Sequence, residues 1–146
     1  MSGTASGRSE QAVRDFRAGC SCAQAVFTAF ADLDRETALR VASGLGGGMA
    51  RMGRTCGAVT GGILALGLRH GAGVADSEEA KLRLYERVRG FIAAFEARHG
   101  SSECRALLGF DISTPEGMSR IRKQNLIATR CTEFVRTAVE LLEEAG

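Results

Sequence analysis

The chain has 146 residues, 45% of them hydrophobic and 25% charged, a balance that fits one domain with a substantial core. A formal net charge of +2, no Trp and a single Tyr argue against a nucleic-acid binder, which needs a basic patch and bases to stack on. One proline and 19 glycines leave long stretches free to be helical, yet so much backbone freedom needs a reason.

Residues 1–8 read as a disordered tail, polar and small, without the apolar core of a secretory leader. A helical domain is expected over 9–146. Ser9 is placed to cap a first helix that Gly19 stops. A second helix follows from Ser21 to about Asp32, with Cys22, Val26, Phe30 and Leu33 recurring on one face. Asp34 is the N-cap of a third, ending near Ser43.

Gly44 to Arg54 carries five glycines and predicts a turn with positive φ or a close backbone approach. It matches neither the dinucleotide fingerprint nor the P-loop, and no strand precedes it. Met49 and Met52 within it read as gap-fillers. The fourth helix is expected from about Thr55 to His70. Gly53, Gly57 and Gly61 fall four apart and predict a strip without side chains where another helix comes very close. The apolar run from Ala58 to Leu68 inside it is too short for the ~20 residues that span a bilayer.

Asp76 with Glu79 predicts a capping box for the fifth helix, and Leu82, Tyr85, Val88, Ile92 and Phe95 its buried stripe. Ser102 is the expected cap of a short sixth helix that Gly109 closes. Thr114-Pro115 begins one long or broken helix to Ala145, with Ile127, Cys131, Phe134 or Val135, Ala138, and Leu141 or Leu142 facing the core. His70 and His99 stand before glycines at helix ends, placed to meet the last carbonyls. The fold class is therefore all-α: a single-domain bundle of about six or seven helices with a glycine-rich central helix.

The five cysteines are Cys20, Cys22, Cys56, Cys104 and Cys131. A cytoplasmic setting is the expectation, and there thiols stay reduced unless they are catalytic, sensing or metal-bound. No C-x-x-C pair supports a thioredoxin-like site or a zinc ribbon. Placement says more. Cys22, Cys56 and Cys104 each fall in the first turn of a predicted helix, where free amides favour the thiolate. Arg51 and Arg54 beside Cys56, and Arg105 beside Cys104, are expected to lower those pKa values further. Cys131, mid-helix on an apolar face, reads first as a small core hydrophobe.

Several motifs then converge. Cys56 to Gly61 reads C-G-A-V-T-G, after the glycine-rich loop Gly46 to Gly53; Gly19 to Val26 reads G-C-S-C-A-Q-A-V; Cys104-Arg105-Ala106-Leu107-Leu108-Gly109 and Cys131 follow. In order, these resemble the C_GCAxxG_C_C family of redox-active proteins over nearly the whole chain. The resemblance maps the family's four cysteines to Cys22, Cys56, Cys104 and Cys131 and leaves Cys20 extra. It implies cysteine redox chemistry.

The leading expectation is thiol–disulfide exchange or electron transfer, with Cys56 attacking and a second cysteine resolving. Gly57, Ala58 and Gly61 would form the binding surface on which a partner or substrate sulfur approaches. The partner would be a redox protein or a small thiol, and whether the protein turns over as a thiol oxidoreductase is open. The first alternative makes Cys22, Cys56, Cys104 and Cys131 the ligands of an iron–sulfur cluster or of zinc. The second is a non-catalytic helical interaction module with buried cysteines, and a homodimer is open under any of these.

Overall fold

A computed structural model describes residues 2–145, with side chains from residue 7 onward. Most of the tail expected over 1–8 therefore lies outside the described side chains. Eight α-helices and one π-helical turn follow in order: α1 (Ser2–Arg17), α2 (Cys22–Phe30), α3 (Arg35–Val41), α4 (Gly57–His70), α5 (Glu78–His99), α6 (Cys104–Leu108), α7 (Pro115–Lys123), the π turn (Ile127–Cys131) and α8 (Thr132–Ala145). The described residues form no strand, and Thr55 pairs with Glu103 only as an isolated bridge. The all-α bundle expected from the sequence is the observed one. No helix among the described residues is long and apolar enough to cross a membrane.

Helix ends follow local chemistry. Ser21 accepts from the Gln24 amide while the Gln24 side chain accepts from the Ser21 amide, a full capping box. Asp34 accepts from the Thr37 amide and Thr114 from the Gly117 amide, with Pro115 at the first helical position. Gly100 and Gly109 close α5 and α6 in the left-handed conformation.

Two caps differ from expectation. Ser77, not Asp76, caps α5, because the Asp76 carboxylate accepts from the Gly73 amide at 2.6 Å. Ser102 does not cap α6; its hydroxyl is spent on Glu96 at 2.6 Å.

The core gathers Val26 and Phe27 of α2, Ala58, Val59 and Leu66 of α4, and Val135, Ala138 and Val139 of α8. The α2–α4 contact is the most extensive between helices, and glycine allows it. A Cβ on Gly61 would lie 2.6 Å from the Ala23 carbonyl oxygen, and one on Gly57 3.2 Å from the Ala23 nitrogen. Gly53 is not part of this strip, since α4 begins only at Gly57.

The core-facing stripe of α5 is offset from the expected one: Leu84, Val88, Phe91, Ile92 and Phe95 pack on the core, while Leu82 (48% exposed) and Tyr85 (47%) fall off that face toward solvent. His99 packs between the Phe95 and Phe134 rings, and its Nε2 pairs with Thr137 Oγ1 at 2.8 Å, tying α5 to α8 instead of meeting the last carbonyls of its own helix.

Candidate functional site

One cavity of about 570 Å³ carries all five cysteines on its wall. Cys56 (4% exposed), Cys104 (7%) and Cys131 (8%) are buried, Cys20 and Cys22 half-buried, and all five are free thiols. Apart from Cys20, which lies two residues before Cys22, each arrives on a different piece of the fold. Cys22 opens α2, Cys56 is the residue before α4, Cys104 opens α6, and Cys131 closes the π turn.

Backbone pairing brings two of them together across 48 residues. The Cys56 amide donates to the Ser102 carbonyl at 2.7 Å, and the Cys104 amide donates to the Arg54 carbonyl at 2.7 Å. The Arg105 amide adds a third bond, to the Gly53 carbonyl at 3.2 Å. These bonds hold the two helix starts side by side.

The glycine-rich loop makes the fit possible. Five consecutive residues, Gly47 to Arg51, have φ between 52° and 70°, a left-handed turn that three non-glycine residues share. Gly48 lies against the other strand of this pairing: a Cβ there would lie 2.6 Å from the Arg54 nitrogen and 2.8 Å from the Cys104 Cβ. Met49 and Met52 fill no gap; both side chains are exposed.

Cys131 is aimed by a break in the helix. Asn125 has φ 57° and interrupts the run after α7, and the π turn then inserts before α8 begins. A single π turn resets the facing of the residues that follow it. The Arg130 guanidinium donates to the Leu107 carbonyl at 3.1 Å, which pins the turn to α6 and so fixes Cys131 relative to Cys104.

The electrostatics reverse one expectation. Burial pushes the Cys56 thiol up to about 12, even though the Ala58 and Val59 amides pull it down. Burial pushes Cys104 up to about 11, and Cys131 and Glu103 add to the rise. Helix starts and neighbouring arginines therefore do not produce low pKa values at either position. The Arg105 guanidinium is engaged with Asp111 at 3.2 Å, and Arg54 is exposed to solvent.

Cys131 alone moves the other way. The neighbouring Cys22 thiol lowers its pKa against the opposing effect of burial. The same interaction, with burial second, raises Cys22 well above the ordinary thiol value. Cys20 is raised by burial and by Asp15.

Of the three residues expected to form a binding surface, Gly57 lines the cavity. Ala58 is fully buried, and Gly61 is taken up by the contact with Ala23. Among the described residues no group of three or more His, Cys, Asp or Glu side chains is placed to hold a metal ion. The four thiols share a cavity without converging on one coordination point.

Fold and site together define a class: an all-helical protein that brings four thiols from four separate segments to one cavity. The family model described as "Putative redox-active protein (C_GCAxxG_C_C)" matches residues 20–145, and the chain belongs to that family. No curated protein and no solved structure matched it. Sequence reading missed the π turn, the Arg130 tie and the pairing of Gly53–Cys56 with Ser102–Arg105. Only Asn125 ahead of Cys131, a residue type that tolerates positive φ, hinted at the break.

Proposed function

We propose that the protein carries out thiol–disulfide exchange, with Cys131 as the attacking thiolate and Cys22 as the resolving thiol. The observation that carries this reading is the placement of Cys22 and Cys131 as interacting thiols on the wall of one accessible cavity, with Cys131 the more acidic of the two. A lowered pKa favours the thiolate, and the thiolate is the nucleophile. The group that lowers Cys131 is itself a thiol, so it stands ready to resolve a mixed disulfide formed on Cys131. Cys56 and Cys104, held as neutral thiols by burial, supply a second dithiol beside the first.

This reading shifts the attacking role from Cys56 to Cys131. A four-thiolate metal site is the competing use of the same residues. It is favoured by their common cavity and opposed by their failure to converge.

The test is oxidation of the reduced, metal-free protein with one equivalent of a small disulfide, followed by disulfide mapping. A Cys22–Cys131 bond that reverses with dithiothreitol is the expected product, and Cys131→Ser abolishes it. Thiols that react only after unfolding would sink the proposal and leave a helical interaction module. Stoichiometric iron or zinc that protects all four thiols in the protein as purified would transfer them to the metal reading.

A further inference from the structure

The cavity has a sign of charge that thiol chemistry by itself does not require. Among its lining residues, Arg51 and Arg122 are the only side chains that carry full charge at neutral pH, and no carboxylate joins them. Arg51 comes from the glycine-rich loop and Arg122 from α7, so the two enter from separate segments. Both are exposed, which puts them at the mouth, while the buried cysteines and Leu108 form the floor. Neither guanidinium has an ion-pair or hydrogen-bond partner among the described residues. Arg8, Arg35, Arg98, Arg105 and Arg136, by contrast, each face a carboxylate. Two unspent guanidinium groups over an apolar, thiol-bearing pocket match an anion with a sulfur end, because guanidinium grips carboxylate through paired N–H donors. A volume of about 570 Å³ is that of a small-molecule site.

We infer that the cavity takes a small disulfide bearing carboxylates, with Arg51 and Arg122 holding the carboxylates at the mouth and Cys131 meeting the sulfur below. This rests on the exchange reading and names its substrate class. The Cys131 thiolate attacks one ligand sulfur; the ligand S–S bond breaks, a mixed disulfide forms on Cys131 and one ligand thiolate leaves. The Cys22 sulfur then attacks Cys131, its proton passing to the departing thiolate, and the second half of the ligand is released. One ligand disulfide becomes two thiols, and the protein dithiol becomes a Cys22–Cys131 disulfide, a transfer of two electrons.

The test compares three disulfides on the reduced protein: oxidised glutathione (anionic), bis(2-hydroxyethyl) disulfide (neutral) and cystamine (cationic). The readout is the rate of Cys22–Cys131 formation, each rate normalised to that of the same disulfide with free cysteine. The anionic probe is expected to lead the neutral one by about tenfold at low salt, to lose that lead as salt rises, and to lose it in Arg51→Gln/Arg122→Gln. Equal normalised rates in the wild type, or a preference that survives the double substitution, would overturn the inference. If no disulfide oxidises the native protein, the exchange reading is what fails. The carboxylate site is then decided by calorimetry with S-methylglutathione, which has no exchangeable sulfur. Binding that weakens about tenfold in the double variant retains the site, and no binding, or binding that the substitutions leave unchanged, removes it.

Discussion

Cys22 and Cys131 meet as neighbouring thiols on one cavity wall, and that contact is the largest influence on the acidity of both, lowering Cys131 and raising Cys22. Removing the Cys22 thiol should therefore make Cys131 a weaker acid without touching it. In Cys22→Ala the pH profile of Cys131 alkylation by iodoacetamide is expected to move to higher pH, slowing the reaction at neutral pH. Cys22→Ser restores a donor and should recover part of the shift. Peptide mapping of the alkylated protein reads the site directly. Identical profiles for the wild type and Cys22→Ala would show that the Cys22 contact does not set the acidity.

Cys56 and Cys104 have the opposite bias, and it should appear as alkaline instability. Their folded values of about 12 and about 11 stand above the ordinary 9.0. Below pH 9 both folded and unfolded chains keep these protons, and the groups contribute no pH dependence. Above it the unfolded chain loses them while the folded one holds them, so the folded state binds more protons and stability falls until the folded groups ionise in turn. The lowered value of Cys131 works the other way, adding stability as pH rises toward 9.0. Urea midpoints under reducing conditions should fall between about pH 9 and about pH 10.5, and Cys104→Ala should shallow the fall. A midpoint flat across that range would contradict the burial of these thiols.

The helices were legible because their signals are local. Ser21, Asp34 and Thr114-Pro115 announce starts, and Gly100 and Gly109 announce stops. The site was legible as a set of residues but not as chemistry. A cysteine in the first turn of a helix suggests a thiolate only while it stays wet, and the depth of Cys56 and Cys104 depends on contacts from elsewhere in the chain. Position on an apolar face made Cys131 look inert, because nothing in its neighbourhood encodes the thiol that α2 brings to it. The pairing of Cys56 with Ser102 and Cys104 with Arg54 has no pattern of its own, since backbone groups carry it. The stripe on α5 was misplaced for a related reason: Leu82 and Tyr85 have helical spacing, but the face that the rest of the fold covers runs through Leu84, Val88, Phe91 and Phe95.

Two glycines in α4 should respond to alanine in opposite directions. At Gly61 the added methyl would meet the Ala23 carbonyl oxygen at 2.6 Å, and backbone cannot step aside cheaply. Overpacking of this kind costs about 1–3 kcal/mol, and the gain in helix propensity returns up to about 1. Gly61→Ala should therefore lose about 1–2 kcal/mol. At Gly67 nothing lies within 4 Å, so only the propensity gain remains. Gly67→Ala should gain about 0.5–1 kcal/mol. Denaturant unfolding of both variants checks the pair, and a loss at Gly67 as large as at Gly61 would show that the α2–α4 approach is not what selects glycine.

The left-handed turn predicts a similar contrast, this time with a consequence at a thiol. Met49, Ala50 and Arg51 hold φ of 64°, 52° and 59°, a region that costs a side-chain-bearing residue about 1–2 kcal/mol each. Ala50 has room for relief: Ala50→Gly removes that strain and returns part of it as unfolded-chain entropy, for a net gain near 0.5 kcal/mol. Gly48→Ala does the reverse. It adds strain at φ 70° and drives a Cβ to 2.6 Å from the Arg54 nitrogen and 2.8 Å from the Cys104 Cβ. Loop and thiol cannot both keep their places. The expected cost is about 2–4 kcal/mol, with Cys104 displaced from its buried position and alkylated faster in the native state. Ala50→Gly should leave the Cys104 rate as it is. Rates measured by mass spectrometry on both variants separate strain in the turn from its contact with the thiol. A Cys104 rate unmoved by Gly48→Ala would mean that the loop does not hold that cysteine in place.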